Sequence, residues 1–286
     1  MREYKTKSRT IFNIINIIIM ILLVSTMILP LVNTFALAFS TDYNSMEPGI
    51  ILFPNPISIS GFITLFSEIK ILRPFINNVF VTVVGVSLHI SICSLTAYVV
   101  ARHQFPGKKI FMVFVMITLM VPLQNIMIPM YLLYKELNLI NTLWAIILTN
   151  MVNAYTILLL KNFFEGVPPS LGEAAYIEGA NEMQMLMKIY LPLAKAGLAT
   201  MILFDFVNRW NHYMEALLFI QDPDKYTLQL ALMGLVIDSD GASPVSFITN
   251  NVQMAGVVFS IMPLLILYPF LQKYFISGIM LGSTKG

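Results

Sequence analysis

The chain has 286 residues, of which 57% are hydrophobic and only 11% charged, and its mean hydropathy is +0.78. A soluble domain carries about 25% charged residues, so this composition excludes an ordinary soluble enzyme or binding module and indicates an integral membrane protein. The net charge of +2 is too small, and its bases too scattered, for nucleic-acid recognition. The single Cys93 allows no intrachain disulfide or multi-cysteine metal site and reads as small apolar packing.

Arg2, Lys5, Lys7 and Arg9 precede the first apolar run, Ile11 to Phe39. Ala36-Leu37-Ala38 imitates a signal-peptidase site, but the run is about twice the length of a signal peptide's apolar region, so it reads as a retained first span. Five more runs follow, at Phe75 to Val100, Ile110 to Tyr134, Leu143 to Phe164, Gly197 to Ile220 and Val252 to Ile276. Each is long enough to cross a hydrocarbon core about 30 Å thick. The expected fold is therefore all-α and membrane-embedded, with six transmembrane helices in a single domain over residues 1–286.

Charge sets the orientation. With the N-terminus in the cytoplasm, Arg102, Lys108, Lys109, Lys161, Lys188, Lys195, Lys273 and Lys285 join the four N-terminal bases inside. Only Lys70, Arg73, Lys135 and Lys225 fall outside, which satisfies the positive-inside rule. Both termini are then cytoplasmic. In the outer segment Ser40 to Pro74, Pro48, Pro54 and Pro56 break regular structure. After them, Ile57 to Ile71 reads either as a short amphipathic helix at the interface or as a packed loop. Pro122 and Pro129 predict a kink in the third span. The second outer loop, Gln221 to Asn251, carries Asp222, Asp224, Asp238 and Asp240.

Between the fourth and fifth spans lies a polar insert over residues 165–194. Pro168 and Pro169 end the preceding span. Ser170 stands at capping-box spacing from Glu173, so Glu173 is expected to close the first turn of a helix from Leu171 to Ile177. Gly179 can take positive φ at little cost, and a second helix is expected from Glu182 to Tyr190, ending at Pro192. Met183, Met185 and Met187 supply flexible, adaptable packing. The result is a helix–turn–helix projecting into the cytoplasm, with Glu173, Glu178 and Glu182 facing water or a protein.

The run Glu173-Ala174-Ala175-Tyr176-Ile177-Glu178-Gly179-Ala180, closed by Ile189-Tyr190-Leu191-Pro192, resembles the cytoplasmic coupling loop of bacterial ABC importer permeases. The wider resemblance is to the carbohydrate-uptake branch, of which the smaller maltose-type permease is the familiar example. It covers roughly residues 70 to 286, most densely from Val121 to Pro192 and at the tail. It implies that Glu173, Ala174, Ala175, Gly179 and Ala180 dock in a cleft of a nucleotide-binding subunit, with Ile189, Leu191 and Pro192 closing the element. Glu178 departs from the family's usual Asp and is assigned no bond. The ending Gly282-Ser283-Thr284-Lys285-Gly286 resembles a tail, over residues 277–286, that reaches toward the interface between two such subunits; it reads equally as a frayed end. Lys285 and Gly286 are its candidate contacts.

Within the spans, Asp205 and Arg209 share one helical face. They form a neutralising pair, or Arg209 lines a sugar path and favours an acidic substrate. Trp210-Asn211 matches a Trp-Asn pair of the carbohydrate branch; it suits sugar stacking and hydroxyl bonding, and it suits plain packing equally well. Glu215 is expected to cap or to meet water. His89 reads as hydrogen-bonded packing, and no metal spacing joins it to His103 or His212.

The chain contains no Gly-x4-Gly-Lys-[Ser/Thr] phosphate loop. The resemblance thus implies a non-enzymatic permease subunit of the bacterial plasma membrane, binding no cofactor of its own. ATP and magnesium would be used by two partner ATPase subunits. A second permease and an extracellular solute-binding protein complete the expected assembly. The alternatives are an ABC permease for a polyamine or phosphate-containing solute, and an ion-coupled secondary transporter, for which Asp205 is the only deep carboxylate. No catalytic constellation for an intramembrane enzyme can be assembled.

Overall fold

A computed structural model describes residues 7–237 and 248–283. In chain order the helices are α1 (Lys7–Ala38), α2 (Asp42–Ser45), α3 (Ser60–Ser67), α4 (Leu72–Arg102), α5 (Lys108–Thr118), α6 (Leu123–Glu136), α7 (Leu143–Leu148) and α8 (Ala154–Glu165). There follow α9 (Pro169–Ile177), α10 (Glu182–Met185), a π turn (Leu186–Tyr190), α11 (Leu191–Leu193), α12 (Lys195–Trp210) and α13 (Met214–Phe219). A 3₁₀ turn (Pro223–Lys225), α14 (Leu228–Ile237) and α15 (Asn250–Ser283) complete the order, and no strand occurs among the described residues.

Among the described residues three helices, at Ile11–Ala38, Leu72–Arg102 and Asn250–Pro269, are long and apolar enough to cross a membrane unbroken. These are the first, second and sixth expected spans. The other three depart from continuous helix. The third bends by 102° between α5 and α6 instead of merely kinking, because Pro122 takes the extended conformation that precedes α6. The fourth, read as one apolar run from Leu143 to Phe164, is two helices separated at residues 149–153. The fifth ends at Trp210 and resumes as α13. Apolar periodicity reports burial and says nothing about where a backbone breaks.

The chain packs as two compact units. The first comprises Met1–Ile71 and Leu232–Met262. Most of α1 is exposed and apolar around its whole circumference, the pattern of a helix surrounded by lipid or by other helices. A helix does form after the outer prolines, as α3, and Phe66 meets Phe259 edge-on at 5.2 Å. Asn251, fully buried, ties this unit together: its amide donates to Ser40 O, Asp42 Oδ1 and Ser60 Oγ at 3.2, 2.6 and 3.1 Å.

The second unit comprises Leu72–Ala231 and Pro263–Gly286. Its core is a stripe on α4 (Val86, Ile90, Cys93, Ala97) against Ile157, Leu160 and Phe164 of α8, with Leu186, Tyr190, Ala194 and Met201 beyond. Steps of three and four residues keep each stripe on one helical face.

Candidate functional site

The segment between α8 and α12 is built by local chemistry. Pro168 is extended and Pro169 opens α9, with no side-chain cap. A proline at the first helical position brings a preset φ and has no amide to satisfy. Ser170 therefore sits inside the first turn, and the expected Ser170–Glu173 capping box does not form; Glu173 is exposed. The far end follows expectation. Gly179 takes φ +82°, its N–H donates to Tyr176 O at 3.0 Å, and Ala180 N–H donates to Ala175 O at 2.9 Å. This paired pattern is a Schellman motif, which calls for glycine at the left-handed position. A capping box appears one turn later: Asn181 Oδ1 accepts from Gln184 N–H, and Gln184 Oε1 accepts from Asn181 N–H, both at 2.9 Å. The expected second helix is α10 followed by the π turn, which ends where Pro192 withdraws an amide donor.

The predicted residues divide into two groups. Glu173, Ala174, Glu178 and Gly179 are exposed and Ala175 and Ala180 half-buried, while Ile189 and Leu191 pack against the core of the second unit and Pro192 is exposed. The first half displays and the second half anchors. Sequence reasoning passed over Tyr176 and Ile177, exposed by 69% and 85%. Their signal was two large apolar residues directly before a turn in an otherwise polar insert. Met183 and Met187 are also exposed, whereas Met185 is buried.

Glu182, half-exposed, turns its carboxylate toward the end of α4. Its Oε2 accepts a hydrogen bond from the Tyr98 hydroxyl and lies 3.3 Å from His103 Nε2 and 3.6 Å from Arg102 Nε. Burial works against its ionisation, but the Tyr98 bond and the charges of His103 and Arg102 hold the carboxyl below its ordinary range. Arg102 also donates to Tyr190 Oη at 3.0 Å, with its guanidinium 5.8 Å from that ring's centre. Beside this cluster, Arg102, His103, Glu165 and Glu173 line an open cleft of about 420 Å³.

Deeper in α12, Arg209 is 1% exposed. Its Nε donates to Asp205 Oδ2 at 2.9 Å, and its two terminal nitrogens donate to Ile147 O and Asn150 O at 3.2 and 3.3 Å. Ile147 lies in the last turn of α7 and Asn150 in the break that follows, where backbone carbonyls have no onward helix to bond. His89 serves the same break: Nδ1 stands 3.0 Å from Met151 O and Nε2 3.0 Å from Thr156 Oγ1. A carbonyl only accepts, so Nδ1 carries the hydrogen, and in the neutral ring Nε2 accepts from Thr156. Trp210 is buried between Phe206, stacked at 5.8 Å, and Phe75, edge-on at 5.9 Å. Of the expected pathway residues only Asn211 is exposed, and its amide donates to Val207 O at 2.8 Å. Glu215 does not meet water as expected: it is buried, 3.8 Å from His212 Nε2. Lys285 and Gly286 lie outside the described residues. No metal-binding group of His, Cys, Asp and Glu occurs among those described.

The described residues are all helical or irregular, with apolar helices long enough to cross a membrane and breaks bonded by buried polar side chains, the architecture of a membrane protein. Residues 90–280 match the family described as binding-protein-dependent transport system inner membrane component, and the chain belongs to it. It is similar to the polygalacturonan/rhamnogalacturonan transport system permease YtcP of Bacillus subtilis (strain 168), 36% identical over 91% of this chain and 93% of that one. Protein LplC of the same strain is 32% identical over 99% and 98%, respectively. The arabinooligosaccharides permease AraQ of Halalkalibacterium halodurans is 31% identical over 91% of each. A crystal structure of a bacterial ABC transporter involved in import of the acidic polysaccharide alginate matches with a TM-score of 0.87 and 29% identity. That match covers 96% of this chain and 99% of the other.

Proposed function

We propose that this chain forms half of the translocation pathway of an ATP-driven importer for a sugar or oligosaccharide. An extracellular binding protein delivers the solute, a second permease completes the pathway, and two separate ATPase subunits bind ATP and magnesium. The carbohydrate reading is supported by the printed substrates of the similar proteins, among them polygalacturonan, arabinooligosaccharides and alginate. The chain sits in the bacterial plasma membrane as six spans, three of them broken, with both termini in the cytoplasm; the distribution of bases favours this orientation.

The observation that carries the coupling role is the exposed surface of the loop. Tyr176, Ile177, Met183 and Met187 leave large apolar side chains uncovered around the Gly179 turn, beside Glu173 and Ala174. Such a patch suits a protein partner. The loop over residues 165–194 therefore docks on an ATPase subunit through Glu173, Ala174, Ala175, Gly179 and Ala180. Ile189, Leu191 and Pro192 fix its base, and Lys285 and Gly286 make a further contact with the ATPase pair. For Arg209 and Trp210 the bonding favours architecture over substrate contact; Asn211 remains the pathway residue of choice.

The test is reconstitution of the complete complex in vesicles with its binding protein, offering trigalacturonate, arabinotriose, raffinose and maltotriose. ATP-dependent accumulation of one of these is expected. Uptake driven by an ion gradient without ATPase subunits would overturn the reading. For orientation, cysteines placed at Glu178 and Asp224 in a Cys93→Ser background separate the two faces. Only the one at Asp224 should react with an impermeant reagent outside intact cells.

A further inference from the structure

We infer that Glu182 is a positioning residue that fastens the loop to the end of α4, so that α4 is the helix that carries the loop's movement into the membrane. This rests on the coupling role proposed above and extends it to a route.

Two covalent connections lead out of the loop, and both are bends. Before α9 the chain turns at Pro168, and between α11 and α12 it turns by 85° at Ala194. A bend can absorb a rotation of the loop without passing it on. Besides the apolar packing of Leu186 and Tyr190 on α4, three contacts gather at the end of that helix. Glu182 of α10 receives the Tyr98 hydroxyl and faces Arg102 and His103, all through one oxygen. Tyr190 of the π turn accepts from Arg102 and packs edge-on against Tyr98 with ring centres 5.0 Å apart. Gly172 of α9 leaves the space that Arg102 fills: a Cβ there would stand 2.1 Å from its Nη1. Segments from α9, α10 and the π turn thus converge on the last turn of α4.

Glu182 is not needed to form its own helix. Asn181 and Gln184 already cap α10, so the carboxylate is free to serve a distant element. Its partners lie 79 to 84 residues earlier in the chain. The α4 helix then continues through the core of the unit, past Ala97 and Cys93, to His89 at the break that Arg209 also holds. A displacement at Glu182 has a packed path to the middle of the span.

The experiment measures sugar accumulated per ATP hydrolysed by the complete complex in proteoliposomes, using whichever of the four named oligosaccharides it takes up. Glu182→Gln and Tyr98→Phe are each expected to lower that ratio roughly twofold to tenfold while hydrolysis continues and all subunits remain assembled. Glu182→Gln keeps an amide oxygen that can still accept from Tyr98, so the additivity test uses Glu182→Ala, to which adding Tyr98→Phe should do no further harm. An unchanged ratio, or losses that simply add, overturns the inference. Should Glu182→Gln fail to assemble, Tyr98→Phe, which removes a single hydroxyl, carries the test by itself. Gly179→Val separates the two ideas. If it uncouples transport while the Glu182 and Tyr98 variants do not, the fastening to α4 fails and the docking role stands. If it couples normally, the docking role fails and the inference falls with it.

Discussion

Two arginine–carboxylate clusters occupy the same unit and do opposite things. Arg209 takes its carboxylate from one turn away on its own helix and spends its remaining donors on backbone carbonyls at a break. Arg102 faces a carboxylate from a distant part of the chain, half-exposed, alongside a phenol and an imidazole. The first arrangement closes on itself, with neither charge able to leave without stranding the other. The second joins separate elements, near water, where rearrangement costs little. A buried pair that also bonds backbone makes architecture, whereas a half-exposed cluster of side chains makes a movable joint.

The comparison breaks most sharply at Arg209. Arg209→Gln leaves Asp205 as an uncompensated buried charge and two carbonyls without donors, so the complex should lose about 3–5 kcal/mol. Thermal unfolding of the purified complex and its yield from membranes check this. Arg209→Lys should not rescue it, because an ammonium cannot direct three fixed donors to Asp205, Ile147 and Asn150 at once. Adding Asp205→Asn to Arg209→Gln should recover only part of the loss, since the carbonyls stay unpaired. Full recovery together with a changed preference between trigalacturonate and raffinose would restore the view that Arg209 selects acidic sugars.

Gly179 is the next test, on the loop side. Nothing lies within 4 Å of a Cβ added there, so the cost of Gly179→Val is backbone strain alone, about 1–2 kcal/mol. Membrane insertion should persist while sugar transported per ATP falls. Gly179→Asn, which accepts the left-handed conformation, should stay near wild type. Equal defects in both variants would show that the turn's φ is not what matters.

These two regions also show what the sequence made readable. The Gly179 turn and the helices beside it follow from turn and capping chemistry within a few residues, so the insert could be read closely, apart from the helix start that Pro169 took over from Ser170. The broken spans could not be read from the length of the apolar runs alone: within Leu143 to Phe164 the break is marked only by Thr149, Asn150 and Asn153 between apolar flanks. The signals were indirect. Asn153 caps α8 by accepting from Tyr155 and Thr156 N–H groups at 2.8 and 3.4 Å, and Asn150 sits at φ 54°. Arg209 and His89 stood as polar anomalies in other spans, each read as a question about substrate or packing when the answer was a backbone break many residues away. Long-range backbone satisfaction leaves no local pattern.

The smallest expected effect concerns pH and belongs to the Glu182 joint. Its carboxyl is held below the ordinary carboxylate range, so ionised Glu182 stabilises the folded complex. That contribution is complete above the unfolded-state value of about 4.3 and disappears as pH falls through the lowered folded-state value. With Glu182 half-exposed, screening keeps it below about 1 kcal/mol. The difference in Tm between wild type and Glu182→Gln should therefore be constant from about pH 5.5 upward and close only in more acidic solution. A difference that closed well above that range would show that the charge of Glu182 is not what stabilises the joint with Arg102, 3.6 Å away.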